Sequence, residues 1–190
     1  DVLYSSRKEY SMTIKRYLLV AAFILLAYCN ALAGGVGTWK NYLAYSDVQW
    51  VEEGSNKLYV LASNSLYTYN KNDQSIKTYD KVNGLSDTDI RFIAWNKTAR
   101  RLVIIYSNNN IDLLDDRGNV TNVPDYYLKT TMADKTVNGI DMSGAYCYLS
   151  TGFGLVKLNV AKAEISDSYN LSFPVNYSYI EGGYIYAASQ

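Results

Sequence analysis

The fold is decided by an apolar run at residues 58–62, LYVLA, which returns at 102–106 as LVIIY, at 146–150 as YCYLS and at 184–188 as YIYAA. The first residues of successive runs are 44, 44 and 38 positions apart. Each run is apolar at nearly every position, which is typical of a strand buried on both faces. A self-match with a period of roughly 20–50 residues indicates a repeat architecture.

Three further strand-like runs accompany each apolar run. One run opens each unit, and these openings are 48–52, 90–95, 137–142 and 176–180. A run that alternates more follows the apolar one, at 66–69, 111–114 and 155–158. The last run is more polar, at 76–79, 120–123 and 165–169. The connectors are rich in Asn, Gly and Asp, which tolerate the positive φ of tight hairpins. Four short strands every 40–45 residues or so predict the antiparallel blades of a β-propeller.

The chain is therefore predicted to be all-β, with three propeller blades and the start of a fourth. The expected blades cover residues 48–85, 86–131, 132–172 and, incompletely, 173–190. We expect the second strand of each blade to be buried between neighbouring blades and the fourth to lie on the rim. Because the last repeat stops after two strands, we expect this chain to be a fragment that exposes open blade edges.

Residues 12–33 are predicted to be a secretory signal peptide. Two basic residues after Met12 precede a 12-residue apolar run, and Ala31 and Ala33 then form a small-residue cleavage site before Gly34. A membrane-spanning helix would need about 20 apolar residues, so a membrane anchor is the weaker interpretation. A lipoprotein at Cys29 is also weaker, because a bulky tyrosine precedes that cysteine. Residues 1–11 are interpreted as a non-native or upstream lead, and 34–47 as a lead segment before the propeller.

Composition excludes several kinds of chemistry. The 190 residues contain no His, which excludes Ser-His-Asp and Cys-His catalysis and any imidazole metal ligand. The 18 basic residues equal the 18 acidic ones, and this balance argues against a nucleic-acid partner. Cleavage before Gly34 would leave a single cysteine, Cys147. It lies in an apolar string, so we interpret it as buried and inert.

The nearest carboxylate pairs are Asp115 with Asp116 and Asp87 with Asp89. Paired carboxylates can serve as acid and base or as calcium ligands, but Asp is also common in turns for backbone reasons. We therefore predict no catalytic residue, no metal and no cofactor. Most tyrosines fall in predicted buried strands and are interpreted as core. Tyr126 and Tyr127 lie in a connector between blades and are the candidates for a surface contact.

Several segments resemble the propeller repeats of two-component regulators. Residues 77–87, KTYDKVNGLSD, resemble the turn of those repeats, and residues 149–155, LSTGFGL, resemble their strand pair, as do residues 187–189. A narrower resemblance covers the region after the signal. Residues 39–45, 104–114 and 148–155 are similar to the N-terminal region of the PorZ family of the type IX secretion system.

The PorZ resemblance implies a non-enzymatic component on the outside of the outer membrane of a Gram-negative bacterium. Such proteins work beside the sortase PorU and its partners PorV and PorQ, and they help attach cargo to anionic lipopolysaccharide. Family members have two propellers and a C-terminal sorting domain. Any contact with lipopolysaccharide or another glycan would then lie in domains beyond these residues, and no binding residue can be carried over.

Two other functions stay open at this point. The first is the periplasmic, oligosaccharide-binding propeller of a hybrid two-component regulator. The second is a propeller enzyme such as a lyase or glycosidase, which the absence of His disfavours. A β-sandwich downstream would favour the secretion role, whereas a transmembrane helix followed by a kinase would favour the regulator.

Overall fold

The computed structural model describes residues 46–189. The expected signal peptide at 12–33, with its cleavage residues Ala31, Ala33 and Gly34, lies outside the described residues, as does Cys29. Within the described range the chain forms fourteen strands and one short helix.

The strands follow one another with short connections. The first sheet has β1 (Val48–Glu53), β2 (Lys57–Ala62), β3 (Ser65–Asn70) and β4 (Ile76–Tyr79). The second has β5 (Ile90–Asn96), β6 (Arg101–Tyr106), β7 (Ile111–Asp115) and β8 (Val120–Asn122), and helix α1 (Asp125–Leu128) follows it. The third has β9 (Val137–Ser143), β10 (Tyr146–Thr151), β11 (Gly154–Asn159) and β12 (Glu164–Asn170). The last has β13 (Tyr177–Glu181) and β14 (Tyr184–Ala188).

Each sheet is an antiparallel meander in chain order, β1-β2-β3-β4, β5-β6-β7-β8 and β9-β10-β11-β12, with β13-β14 as a two-stranded sheet. The first strands of neighbouring sheets contact one another, β1 with β5, β5 with β9 and β9 with β13. This arrangement confirms the prediction of an all-β, incomplete β-propeller. We call the four sheets blades one, two, three and four.

The core consists of two apolar layers, one on each side of blade two. Strand β6 contributes to both layers because successive side chains of a strand point to opposite faces. Leu102, Ile104 and Tyr106 pack against blade one, together with Tyr59 and other residues of that blade. Val103 and Ile105 pack on the other face, against residues of blade three. The apolar second strand is thus buried on both faces, as its sequence predicts.

Blade four departs from the expectation of a buried second strand. Tyr184 and Tyr186 of β14 are 70% and 57% exposed. Within residues 46–189 only β13 pairs with β14, and no further blade covers it, so its apolar side chains face solvent. The interpretation of these two tyrosines as core is therefore wrong for residues 46–189, whereas the expectation that the fragment exposes its half-built fourth blade agrees with the exposure of β14.

The hairpin turns have the backbone conformation that their sequence indicates. Asn64, between β2 and β3, has φ of 59°, and Asn109, between β6 and β7, has φ of 68°. Gly154 opens β11 with φ of 145°, and a Cβ at this position would lie 2.1 Å from the carbonyl oxygen of Tyr169. This glycine is required both for its conformation and for the close approach of β12.

Candidate functional site

The carboxylates Asp115 and Asp116 hold the turn between β7 and β8 through hydrogen bonds and an ion pair. The Asp115 carboxylate accepts hydrogen bonds from the backbone N–H groups of Arg117 and Asn119, each at 2.8 Å. Asp116 forms an ion pair with Arg100, at 2.6 Å. Lys57 of blade one donates to the Asp116 carbonyl at 2.7 Å. These contacts fix the β7–β8 turn of blade two and tie it to blade one.

Asp87 and Asp89 join the entry of blade two to neighbouring hairpin turns. The Asp89 carboxylate accepts a hydrogen bond from the Asn64 side chain of blade one. Hydrogen bonds from the side chains of Asn64 and Ser107 hold the pKa of Asp89 below its usual value. Asp87 accepts from the Asn108 side chain and lies 3.8 Å from the ammonium of Lys81. Both carboxylates thus have structural partners.

Asp112 is a buried acid that the sequence interpretation did not single out. Its carboxylate accepts three hydrogen bonds, from the Ser86 N–H at 2.7 Å, the Tyr106 hydroxyl at 2.6 Å and the Asn122 side chain at 2.8 Å. Ser86 belongs to the Gly-Leu-Ser turn that resembles the propeller repeats of two-component regulators, and Asp112 anchors that turn to blade two. The signal in the sequence was one acid inside an otherwise apolar strand.

The described residues offer few groups for other chemistry. Among residues 46–189 no cluster of three or more His, Cys, Asp or Glu side chains could hold a metal ion. Cys147 is buried in β10, and burial together with the nearby Asp141 raises the pKa of its thiol. No helix in the same range has the length and apolar character needed to span a membrane.

Tyr126 and Tyr127 differ in exposure. Tyr127 is 46% exposed, as a surface contact requires, but Tyr126 is only 3% exposed. The Tyr126 ring packs between blades two and three, and its hydroxyl donates to the carbonyl of Lys135 at 2.6 Å. The expectation that both tyrosines are available at the surface is therefore wrong for Tyr126. The reason is that helix α1 directs one of the two neighbouring side chains inward.

The connector that carries these tyrosines, residues 124–136, encloses a cavity of about 220 Å³ against blade three. We call it the connector cavity. Phe153, Val156 and Ile165 form its apolar wall, and its remaining lining residues are Asp125, Tyr126, Lys129, Thr131, Ala133, Lys135, Ser168 and Asn170. Residues distant in the sequence meet here, so the repeat pattern alone gives no indication of this cavity.

Comparison with known proteins identifies the family. The model of the N-terminal β-propeller domain of PorZ, from the type IX secretion system, matches residues 58–190. This chain belongs to that family.

The solved structure of PorZ from Porphyromonas gingivalis, described as an essential surface component of the type IX secretion system, supports the PorZ assignment. Its sequence is 37% identical, its TM-score is 0.67, and the match covers 73% of this chain. This chain spans only 19% of the length of that PorZ chain. Comparison with curated proteins finds no match.

More distant structures share the propeller fold alone. The extracellular domain of BT4673 from B. thetaiotaomicron, described as a hybrid two-component system, is 17% identical with a TM-score of 0.59. That match covers 78% of this chain and 21% of the other. The β-propeller domain of Cps50 from Myceliophteria thermophila is 9% identical with a TM-score of 0.53, covering 75% and 51%.

Proposed function

We propose that this chain supplies a non-enzymatic propeller module to a cell-surface component of the type IX secretion system. In this role the whole protein helps attach exported cargo to anionic lipopolysaccharide. The observation that carries the proposal is the 37% identity to PorZ over 73% of the chain. The absence of an enzymatic role is supported by the carboxylates, because Asp87, Asp89, Asp112 and Asp116 all bond to other parts of the propeller.

The proposed partners are the sortase PorU and the proteins PorV and PorQ. A propeller suits this role because its stacked blades form a rigid support for loops that contact other proteins. Tyr127, which is 46% exposed in the connector 124–136, is the proposed contact residue within this chain. Lipopolysaccharide would be bound by domains beyond the present residues.

We also propose export to the periplasm and outer-membrane surface, with cleavage between Ala33 and Gly34. N-terminal sequencing of the protein recovered from the bacterium tests this step, and the expected first residues are Gly-Gly-Val-Gly. A mature protein that retains residues 12–33 would contradict the cleavage proposal.

Gene deletion in the source bacterium tests the function. Loss of the protein should release type IX cargo from the cell surface into the medium, and the intact gene should restore attachment. The variants Asp87→Asn and Asp115→Asn, each made in the full-length protein, should restore attachment as well, because neither carboxylate takes part in chemistry. Failure of both variants, with normal protein abundance at the surface and unchanged thermal unfolding, would indicate that these carboxylates act directly in the function and would contradict the non-enzymatic proposal.

The oligosaccharide-sensing alternative has weaker support. The two-component relative BT4673 is 17% identical, which shows the shared fold and no more. A deletion strain that keeps its cargo attached but no longer adjusts transcription to an oligosaccharide would favour the sensor function and refute the secretion function.

A further inference from the structure

The connector cavity has the size of one aromatic ring. Its volume is about 220 Å³. An engineered apolar cavity of about 150 Å³ in another protein admits benzene, so this space accommodates a substituted ring. The wall formed by Phe153, Val156 and Ile165 supplies apolar contacts for such a group.

A bulge in β12 shapes the outer wall of the cavity. Lys157 pairs with Asp167, whereas the next residue, Leu158, pairs with Ile165, so Ser166 is an extra residue in this strand. One extra residue reverses the alternation of side chains beyond it. Ile165 therefore shares a face with Ser168 and Asn170, and all three line the cavity.

The residues that line the cavity carry a surplus of one positive charge. Lys129 and Lys135 are basic, and Asp125 is the one acidic residue among the lining residues. The Lys135 ammonium donates to the carbonyls of Tyr127 and Lys129, at 2.9 and 2.8 Å, and is held in place. Lys129 forms no ion pair with any residue in the range 46–189. A ligand with a carboxylate beside its ring matches this arrangement.

The same connector carries three large apolar side chains that are exposed to solvent. Tyr127 is 46% exposed, Leu128 66% and Met132 fully exposed. The hydrogen bonds of Lys135 and of the Tyr126 hydroxyl fix the connector before any ligand binds, which lowers the cost of ordering on association. A small molecule inside the cavity would leave these apolar groups in water, whereas a protein segment would cover them.

We propose that the connector cavity receives one aromatic side chain from a partner protein, presented on a segment with an acidic residue beside it. The proposal deepens the scaffold role and rests on it for its biological setting. Binding itself is a property of residues 124–170 and can be measured without the secretion apparatus.

The test uses the purified full-length protein and the peptide acetyl-Asp-Phe-Asp-amide, with the phenylalanine ring labelled by fluorine. Fluorine NMR should show saturable binding to the wild-type protein. The matched peptide acetyl-Lys-Phe-Lys-amide should bind more weakly, because its charges oppose those of Lys129 and Lys135. Equal binding of the two peptides would overturn the proposed acidic preference.

Two pairs of variants locate the binding site. Ser168→Trp fills the cavity from its exposed rim and should weaken the Asp-Phe-Asp peptide by at least about tenfold, since the ring loses its apolar pocket. The control Thr121→Trp lies in β8, the corresponding outer strand of blade two, is exposed and outside the lining, and should bind like wild type. Lys129→Gln should weaken binding by about twofold to fivefold, the scale of an exposed ion pair. The control Lys162→Gln should have no effect.

Other occupants give different results. If phenylacetate binds, Ser168→Trp prevents its binding and the peptide does not bind, the occupant is a small aromatic acid and not a protein segment. If the protein forms a concentration-dependent dimer and Ser168→Trp dissociates that dimer, the occupant is a second copy of this chain. Unaltered peptide binding by a folded Ser168→Trp protein would remove the site altogether. None of these results changes the cargo-attachment assay, so failure of this proposal is distinguishable from failure of the proposed function.

Discussion

Strands β6 and β14 occupy the same position in their blades and have opposite environments. Five residues of β6, from Leu102 to Tyr106, are completely buried, whereas every residue of β14 is exposed. Their sequences, RLVIIY and YIYAA, are both apolar enough for a strand covered on two faces. The difference shows that burial of a blade strand depends on the blades beside it and not only on its own sequence.

The stability of blade two is therefore expected to depend on individual side chains far more than that of blade four. The polar contacts point the same way. Blade two contains the buried Asp112 and its three donors, while blade four within the described residues has mainly strand pairing between β13 and β14.

The largest effect is expected at Asp112. Asp112→Ala should lower the free energy of unfolding by about 3–5 kcal/mol, because it leaves the buried Tyr106 hydroxyl and the Ser86 N–H without their acceptor. Urea denaturation followed by tryptophan fluorescence measures the change. The control Glu181→Ala, at an exposed end of β13, should change stability by less than about 0.5 kcal/mol. Similar losses for the two variants would show that the Asp112 network is dispensable.

The next effect compares the two equivalent strands directly. In residues 34–190 produced alone, Ile104→Ala of β6 should cost about 2–5 kcal/mol because it leaves a cavity between blades one and two. Ile185 of β14 is 38% exposed, and Ile185→Ala should cost less than about 1 kcal/mol.

The same two isoleucine variants in the full-length protein sharpen this comparison. If further blades cover β14 there, the cost of Ile185→Ala should rise towards that of Ile104→Ala. A cost that stays small in the full-length protein would mean that β14 remains exposed. Residues 34–190 alone should also associate through their open blade edges as the protein concentration rises, so the two variants are compared at one fixed concentration. A product that stays monomeric at every concentration would contradict that expectation.

Two turn glycines give a smaller effect. Gly154→Ala should cost about 2–4 kcal/mol, because a Cβ at φ of 145° would collide with the Tyr169 carbonyl 2.1 Å away. Gly182, between β13 and β14, has φ of 58° with no atom within 4 Å of the added Cβ, so Gly182→Ala should cost about 1 kcal/mol. Thermal unfolding of the two variants measures the difference, and a reversed order would count against the close packing of β12 on β11.

The smallest expected effect is on the free energy of unfolding at acidic pH. The pKa of Asp89 is lowered in the folded chain by hydrogen bonds from Asn64 and Ser107, so its contribution is present above the unfolded value of about 3.9. That contribution is lost as the pH falls through the folded pKa. The free energy of unfolding should fall between pH 5 and pH 3. In Asn64→Ala this fall should be smaller by less than about 1 kcal/mol, since the Asn64–Asp89 pair is exposed to solvent. Urea titrations at the two pH values test this, and an unchanged loss would assign acid sensitivity elsewhere.

The sequence predicts the local structure of this chain well. Period and alternation place the strands close to their observed bounds, because the 44-residue repeat and the turn residues Asn64 and Asn109 act locally. The burial of Tyr126 was not predictable in this way, and the exposure of Tyr184 follows from the incomplete fourth repeat and not from its own strand. Both depend on which elements lie opposite, and apolar content carries no information about that.

The candidate site is predictable only in part. Tyr127 was identified because a connector between blades is normally exposed. Phe153 lies in the turn between β10 and β11, whereas Ile165 and Ser168 lie in β12. Their meeting depends on a one-residue bulge in β12 that the sequence does not mark. Asp112 was passed over because a single acid in an apolar strand gives no hint of its three donors.

The rate at which the buried Cys147 thiol is chemically modified can measure how often blade three opens. An alkylating reagent reacts only with an exposed thiolate, and this thiol is fully buried with a raised pKa. The rate of its modification therefore reports how often β10 leaves its neighbours, without any added probe. In a protein cleaved before Gly34 and ending at Gln190, no other cysteine would contribute to the signal.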